Sequence, residues 1–535
     1  MLTETHSVRS PVALDDEGDS LIQLIRHRAA TFGPQPYLEY VNDDRTLTFG
    51  ALGSAVVRWG ARLETAGVPP GATVAIAIAN PLDFASVFLA VIASGRWAAP
   101  LDPAAPPEGV GGLGPALSRV QADVLVADRP LPGRSDIGFI AVGSATNDRG
   151  HEGAVDALAY ANGPEVGGGG VVLSSSGTTG TPKLIPLTQR QLLHTARSVA
   201  AHHRLSPSDR GFNPLPLFHI NAEVVGLLGS LVAGSCLVLD DRFHRTNFWD
   251  KMELNKVTWI NAVPAIVSRL AESSAPEVIP SGIRFIRSAS APLPAETMTR
   301  FEERTGIPVL ETYGMTEAAS QITANPLTGP RKPGSVGLPV GVELRVVPDR
   351  TATLESASGS SGSPRLTAGH VEIRGPSVIT AYGGDQHRER IDSDGWLRTG
   401  DLGHLDEDGY LYLDGRTDDV INRGGEKFFP REIEEAILVE PEVAAVSVIG
   451  QDDPVLGQVP VAFLVLRGVD DVDDRDRARL LVDRIRVGLN ATLVRTKRPV
   501  ALHVVARLPV GATGKVQRRS LREHNVSVIY SLGCR

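Results

Sequence analysis

A run of small and hydroxyl residues at positions 174–183, SSSGTTGTPK, is the first candidate for chemistry in this chain. It follows the apolar residues 171–173, which predict a buried strand. A loop with so little bulk lets backbone N–H groups and hydroxyls approach phosphate oxygens, while Lys183 adds a positive charge. The G-x-x-x-x-G-K-[ST] spacing is absent, so we expect a phosphate-binding loop that is not of the Walker type.

A second cluster, residues 312–317, reads TYGMTE. Glu317 is a candidate Mg²⁺ ligand, because Mg²⁺ bound with a nucleotide takes one or two carboxylates and several phosphate oxygens. Tyr313 offers an aromatic face and Thr316 a hydroxyl. Beside a phosphate-binding loop, these side chains indicate a nucleotide site.

Two further clusters lie nearer the C-terminus. Residues 395–416 contain glycines and aromatic residues that predict a hairpin, and Asp401 stands there at a glycine-flanked turn. Its carboxylate could accept hydrogen bonds from two ribose hydroxyls, with Arg416 in support. Lys515 stands in a glycine-flanked loop, where a lysine alone would usually be a surface residue.

Alternating strand-like and helical stretches must position these clusters. Between residue 21 and about residue 345, short apolar runs such as 257–260 and 283–286 alternate with amphipathic segments such as 295–304. This alternation indicates an α/β fold of mainly parallel sheets with packed helices. After residue 417 the pattern changes to a small α+β unit.

From these patterns we expect three segments. They are a flexible N-terminus at 1–20, a large N-terminal domain at 21–417 and a small, mobile α+β C-terminal domain at 418–535. The tail after Leu521 fits no motif, and we expect it to be a surface feature.

The composition excludes several classes of protein. The 535 residues carry a formal charge of −9, which argues against nonspecific nucleic-acid binding. Two cysteines make a disulfide framework or a cysteine metal site improbable. The first 20 residues lack a secretory pattern, and charged residues interrupt the most apolar region, 74–101. We expect a cytoplasmic protein without a membrane span.

In this order and at these separations, the four clusters closely resemble the adenylate-forming superfamily of acyl-CoA synthetases, adenylation domains and beetle luciferases, over about residues 20–520. The resemblance implies roles for individual residues. The loop that holds the ATP phosphates would comprise Ser175, Ser176, Gly177, Thr178, Thr179, Gly180 and Lys183. The remaining ATP contacts would be Glu311, Thr312, the adenine-stacking Tyr313, the phosphate contact Thr316, the Mg²⁺ ligand Glu317, and the ribose pair Asp401 and Arg416.

The resemblance also assigns the moving parts. Lys515 matches the lysine that bridges the carboxylate and the α-phosphate during adenylation. Asp418 matches the hinge about which the C-terminal domain turns. Gly424 and Gly425 would then line a tunnel, where adjacent glycines let a thin pantetheine chain pass.

The acid site is expected around the segment LPLFHIN at 215–221. Amino-acid-activating domains usually place an aspartate after the aromatic residue, and His219 stands there instead, which argues against an α-amino acid. We expect His219 to line the pocket near the carboxylate, and Glu223 could read a cationic group. The pocket positions are His219, Asn221, Glu223, Ser288, Ala289, Ser290, Gln321 and Ile322.

The resemblance therefore predicts an AMP-forming acid–CoA ligase, closest in pattern to the oxalate- and carnitine-type CoA ligases. With ATP and Mg²⁺ it would convert a carboxylic acid to an acyl-adenylate, release pyrophosphate and transfer the acyl group to coenzyme A. An alternative is transfer to a carrier-protein thiol, an amine or a nitrogen nucleophile such as nitrite. The presence of Lys515, Glu317 and Asp401 argues against a non-catalytic relative.

Overall fold

The computed structural model describes residues 6–9, 20–109, 111–144, 168–175, 183–272, 278–348, 368–384, 388–469, 475–510, 516–523 and 526–533. The chain divides into two compact units. One, here the N-terminal unit, comprises Val8–Glu343 and Ile373–Leu397. The other, here the C-terminal unit, comprises Met1–Ser7, Leu344–Glu372 and Arg398–Arg535.

The largest sheet of the N-terminal unit has nine strands. In order across the sheet they are β16 (Leu338–Pro339), β15 (Thr323–Ala324), β14 (Val309–Tyr313), β13 (Phe285–Ser288), β12 (Trp259–Ala262), β10 (Arg210–Asn213), β11 (Cys236–Leu239), β2 (Pro36–Tyr40) and β3 (Asp43–Thr48). The strands from β14 to β2 are parallel, and antiparallel strands close both edges. Parallel strands bring their carboxyl ends to one edge, where α/β sheets place their sites.

A second sheet of the same unit has six strands. In order they are β7 (Gly138–Ala141), β6 (Val124–Ala127), β4 (Thr73–Ala77), β5 (Trp97–Pro100), β8 (Gly170–Ser175) and β9 (Lys183–Thr188). All pair in parallel except β8 and β9, which form an antiparallel hairpin. The predicted strand at 171–173 is therefore present as β8.

Helices cover these sheets. They are α1 (Leu21–Phe32), α2 (Phe49–Thr65), α3 (Pro81–Ala93), α4 (Leu113–Arg119), α5 (Gln189–His202), a π-helical segment (Asn221–Leu228), α6 (Gly229–Ala233), α7 (Phe248–Leu254), α8 (Pro264–Glu272) and α9 (Ala295–Thr305). In α3 every residue except Asp83 is buried, which explains why this helix is apolar on all sides. Asn80 caps it by accepting hydrogen bonds from the next turn.

The two faces of the nine-stranded sheet differ in character. On one face, α7, α8 and α9 pack against Phe212, Ile260 and Ile286 in a continuous apolar core. Because side chains alternate along a strand, residues 261 and 287 point to the other face. That face carries polar side chains and lies next to α5 and the π-helical segment.

A five-stranded sheet runs in the order β1 (His6–Arg9), β17 (Glu343–Pro348), β18 (Gly369–Arg374), β19 (Leu397–Leu405) and β20 (Leu411–Arg416). Within residues 1–20, which the sequence predicts to be flexible, His6–Arg9 thus form a strand. Strands β19 and β20 pair antiparallel, so the hairpin predicted at 395–416 is present.

The rest of the C-terminal unit is a small α+β layer. Its sheet runs β22 (Glu426–Phe428), β21 (Ile421–Arg423), β24 (Gly457–Leu466), β25 (Ala501–Val505) and β26 (Val528–Gly533), and β23 (Val443–Asp453) also pairs with β24. The helices are α10 (Pro430–Leu438), α11 (Arg475–Thr492) and α12 (Arg518–Arg522). Leu481, Ile485 and Leu489 of α11 are buried in its core.

The predicted α/β class, with a large domain of mainly parallel sheets and a small α+β domain, is confirmed. Two local expectations are wrong. The tail after Leu521 is not only a surface feature, because β26 pairs with β25 and buries Ile529 in the core. Strands β12 and β13 begin two residues later than the apolar runs at 257 and 283, and they extend into polar residues. No helix in the described ranges is long and apolar enough to cross a membrane.

Candidate active site

The predicted phosphate-binding loop connects β8 to β9. Its residues Ser176, Gly177, Thr178, Thr179 and Gly180 lie outside the described residues, as does the side chain of Ser175. Ser175 and Lys183 are paired across the hairpin, so the loop leaves and rejoins the sheet at one point. The Nζ atom of Lys183 lies 5.6 Å from the centre of the Tyr382 ring, within the range of a cation–π contact. The ring holds this amine at the base of the loop.

Glu317 stands beside the same tyrosine. It belongs to a 3₁₀ turn, Thr316–Ala318, directly after β14, and it is 6% exposed. The Tyr382 hydroxyl donates a hydrogen bond to Oε1 of Glu317 at 3.1 Å. Burial, followed by the charge of Glu317, raises the pKa of Tyr382, so the phenol remains a donor at neutral pH. Tyr382 therefore connects Lys183 and Glu317 in one group. The sequence analysis singled out the lysine and the glutamate but not the tyrosine.

A tight reversal fixes the turn that carries Glu317. A side chain at Gly314 would place its Cβ 1.5 Å from the carbonyl oxygen of Ser320, so only glycine fits there. Ala319 and Ser320 take φ angles of 50° and 95°, which non-glycine residues rarely adopt. Such strain is held by its surroundings and is common at functional sites. The motif TYGMTE thus specifies a rigid turn.

The residues before this turn differ in accessibility. Thr312 and Glu311 are buried, and both connect β14 to neighbouring segments of the same chain. Thr312 donates to the Ser288 carbonyl at 3.2 Å, and Glu311 accepts from the Leu293 N–H at 3.1 Å. Tyr313 is partly exposed, so among these three it offers the accessible surface.

Three of the predicted acid-pocket residues meet at one arginine that the sequence analysis did not single out. Arg287 is 1% exposed. Its guanidinium donates to Oδ1 of Asn221 at 2.8 Å and to Oε1 of Gln321 at 3.3 and 3.4 Å. Ser288 follows it at the end of β13. We call Arg287, Asn221, Gln321, Ser288 and Asn261 the arginine cluster.

Asn261 joins the cluster from the neighbouring strand. It lies opposite Arg287 in the register of β12 and β13, and its Oδ1 accepts from the guanidinium at 3.1 Å. Its amide donates in turn to Oδ1 of Asn213 at 2.9 Å. Burial lowers the pKa of Arg287 to about 9, so the guanidinium is still protonated at neutral pH. The positive charge of Arg287 is thus held near the carboxyl end of β13 by neutral amide oxygens.

Glu223 lies in the π-helical segment and is fully buried. Neither carboxyl oxygen has a hydrogen-bond partner among the described residues. Burial raises the pKa of Glu223 well above its ordinary value, which favours the protonated, neutral form. The other predicted pocket residues lie at adjoining turns. His219 precedes the π-helical segment, and Ala289 and Ser290 follow β13. Ile322 lies between β14 and β15.

In the C-terminal unit, the predicted ribose pair is assembled. Asp401 and Arg416 face each other across β19 and β20, and Nε of Arg416 lies 3.6 Å from Oδ1 of Asp401. The N–H of Asp401 is bound by the Thr399 hydroxyl at 3.1 Å. The carboxylate of Asp401 is therefore held by its strand beside a cation.

The remaining predicted residues lie in turns of this unit. Asp418 belongs to the 3₁₀ turn Thr417–Asp419. Gly424 and Gly425 have φ angles of 60° and 94° and form the two-residue turn between β21 and β22, which accounts for both glycines locally. Lys515 lies outside the described residues, and its loop is closed by pairing of Val510 with Val516.

The carboxylates of the site fit one metal ion bound with a nucleotide. No group of three or more metal-binding side chains occurs among the residues that the structure describes. Mg²⁺ bound with a nucleotide requires only one or two carboxylates, since phosphates and water complete its shell. Glu317, buried and oriented by a tyrosine, meets that requirement. A mainly parallel sheet, the hairpin that ends at Lys183 and a buried carboxylate directly after β14 are features expected of a nucleotide-binding enzyme.

Comparison with known proteins gives the class its name. The model of the AMP-binding enzyme family matches residues 25–382, and that of the AMP-binding enzyme C-terminal domain matches residues 432–515. The chain belongs to this family. It is 36% identical to the sulfoacetate–CoA ligase of Cupriavidus necator over 95% of this chain and 98% of that protein. It is 34% identical to the oxalate–CoA ligase of Arabidopsis thaliana over 95% and 99% of the two chains.

Solved structures agree with these relatives. The o-succinylbenzoate coenzyme A synthetase of Bacillus subtilis, solved with ATP and a magnesium ion, has a TM-score of 0.75 and 28% identity, covering 93% of this chain and 99% of that one. The same enzyme has been solved with its acyl-adenylate intermediate. The predicted membership of the adenylate-forming superfamily is confirmed. The protein is an AMP-forming acid–CoA ligase that uses ATP and Mg²⁺ to activate a carboxylic acid and transfers the acyl group to coenzyme A.

Proposed function

We propose that the residues assigned above divide the adenylation reaction among them. The loop from Ser175 to Lys183 binds the β- and γ-phosphates, which become the leaving pyrophosphate. Glu317 holds Mg²⁺, and Thr316 contacts a phosphate oxygen. The observation that carries this proposal is the group formed by Lys183, Tyr382 and Glu317, which places one amine and one carboxylate on either side of a single phenol.

The nucleoside and the acid have separate residues. Tyr313 stacks on the adenine, and Asp401 with Arg416 binds the ribose hydroxyls. His219 lines the pocket near the carboxylate that is activated. We assign Lys515 to the contact between that carboxylate and the α-phosphate, where two anions must approach each other.

Fixed positive charge is what this chemistry requires. Negative charge grows on the α-phosphate as the carboxylate oxygen attacks, and a preorganised cation stabilises it without a cost of reorganisation. The bound Mg²⁺ supplies charge neutralisation and orientation of the phosphates. Lys515 supplies the same at the bond that forms, and it also orients the acid.

For the second step we propose that residues 418–535 turn about Asp418 as one domain, relative to residues 21–417. Gly424 and Gly425 then line the passage for the pantetheine arm, since a turn without side chains leaves room for a thin chain. A carrier-protein thiol would present the same pantetheine arm and is the second candidate acceptor. We place the reaction in the cytoplasm, in keeping with the free, buried Cys236.

An acceptor assay tests this proposal. Purified protein is incubated with ATP, Mg²⁺ and a panel of small carboxylic acids, with and without coenzyme A. Pyrophosphate, AMP and the thioester are each quantified. We expect AMP and acyl-CoA in equal amounts, with turnover that depends on coenzyme A. Turnover that ignores coenzyme A and responds to hydroxylamine or nitrite would instead identify a nitrogen acceptor.

A further inference from the structure

The arginine cluster has a charge that nothing near it neutralises. No carboxylate of the described residues forms an ion pair or a hydrogen bond with Arg287. Its acceptors are amide oxygens of Asn221, Asn261 and Gln321. Burying a cation among neutral groups is expensive unless a counter-charge arrives. The cluster therefore has the electrostatic requirement of a site for an anion.

The hydrogen-bond donors of the cluster point to the same conclusion. Nδ2 of Asn221, Nε2 of Gln321 and Oγ of Ser288 are buried and have no hydrogen-bond partner among the described residues. Each buried donor that has no acceptor lowers the stability of the folded protein. The amides direct their oxygens to Arg287, so their NH₂ ends face away from it. An anion that accepts from these NH₂ groups would satisfy both amides and compensate the guanidinium.

The two histidines beside the cluster add no charge. His202 and His203 pack on the same side of the sheet, and the Nδ1 atoms of the two rings lie 2.9 Å apart. Burial, and then the charges of neighbouring cationic groups, lower the pKa of both, so both are neutral at pH 7. Burial also favours the neutral form of Glu223, which leaves it poorly suited to bind a cationic tail.

We propose that the arginine cluster binds a second anionic group on the acid, so that the substrates are small acids with a carboxylate or sulfonate besides the carboxylate that is activated. This inference rests on the proposed function, since it places the acid pocket at Asn221, Ser288 and Gln321. Arg287 is then a residue that determines specificity. Its charge reaches the substrate through the amides that it orients.

The test compares each dianionic acid with an isostere whose second group is neutral. Malonate is paired with malonamate, and sulfoacetate with methylsulfonylacetate, with formation of the CoA thioester as the readout. In the wild-type enzyme we expect kcat/KM to favour the anion on the order of 100-fold, as for other charged hydrogen-bonded groups. The two pairs also separate a carboxylate site from a sulfonate site.

Two variants locate the discrimination. Arg287→Met removes the charge at similar length. Gln321→Glu is nearly isosteric, and it supplies Arg287 with a carboxylate from the protein, so it tests the site even if the first variant folds poorly. Both should lower the ratio of kcat/KM values at least tenfold. Arg96→Met is the matched control, because Arg96 is a buried arginine that binds the Val68 carbonyl on another part of the unit. Its ratio should equal that of the wild type.

The outcomes are separable. If neutral isosteres are activated as well as the anions, or if folded Gln321→Glu keeps the wild-type ratio, the arginine cluster is a structural network and the inference is wrong. If no acid of either kind yields a CoA thioester, the proposed function fails instead. If both isosteres react equally in the wild type but the Gln321→Glu variant is inactive, the cluster serves the reaction without selecting charge, which also refutes the inference.

Discussion

Substitution of Glu223 by glutamine tests whether the buried carboxyl group of Glu223 keeps its proton in the folded protein. The side chain is fully buried, and neither oxygen has a partner among the described residues. Burial therefore raises its pKa well above the ordinary value of 4.5. Above pH 4.5 the unfolded chain loses this proton while the folded chain keeps it. The folded state then binds more protons, so its stability falls as the pH rises.

The size of the effect follows from the proton linkage. Each pH unit between the unfolded pKa and the folded pKa lowers the free energy of unfolding by about 1.4 kcal/mol. Between pH 5 and pH 7 the wild-type protein should therefore lose up to about 3 kcal/mol that Glu223→Gln retains, because the amide has the same size and no proton to lose. The variant should be the more stable protein at pH 7, and the two should converge near pH 5.

Urea unfolding at pH 5, 6 and 7 measures this difference. All five tryptophans of the chain lie in the N-terminal unit, so their fluorescence reports the unit that contains Glu223. Glu253→Gln is the control, since Glu253 is exposed on α7, and it should follow the wild type at each pH. Parallel pH dependences for the wild type and Glu223→Gln would refute the reasoning. They would mean that the folded protein holds Glu223 ionised.

Two further predictions concern the reaction. Lys515→Ala should lower the rate of adenylation on the order of 100-fold or more with little change in ATP affinity, because the charge of Lys515 is needed chiefly in the transition state. Pyrophosphate exchange measures the rate of adenylation, and a binding assay measures the ATP affinity. Near-normal pyrophosphate exchange would contradict the assignment. Tyr382→Phe removes the hydrogen bond to Glu317 but keeps the ring beside Lys183. It should raise the Mg²⁺ concentration for half-maximal rate about 10-fold, as loss of a group that orients a metal ligand does, and an unchanged Mg²⁺ dependence would show that Glu317 needs no such support.

The sequence was sufficient for the fold class and for locating the turn that carries Glu317. Glycines and hydroxyl residues after an apolar run identify a loop, and the turn of Gly314 and Glu317 could be found because its backbone admits few other residues there. The arginine cluster could not be found in this way. Apolar runs at 257–260 and 283–286 predicted strands, whereas β12 and β13 continue into Asn261 and Arg287. A polar residue at the end of a strand pattern is usually taken as its boundary.

Only the register of the sheet reveals why those polar residues are tolerated. Asn261 and Arg287 are opposite each other on adjacent strands, so each satisfies the other away from water. Tyr382 was missed for a related reason, since it is 65 positions from Glu317 along the chain and meets it only in the folded unit. The tail after Leu521 has alternating apolar residues but no motif, and its place in the core depends on an open edge of β25.

Two of the buried glutamates of the N-terminal unit, Glu317 and Glu223, show how environment divides the work between identical side chains. Glu317 has a phenol donor and a lysine on the far side of the same ring, so its carboxylate is supported where a metal must bind. Glu223 has neither, and a carboxyl group without donors is most stable when it keeps its proton. The unfolding experiment therefore tests the environment of Glu223, and the isostere experiment tests the arginine cluster separately.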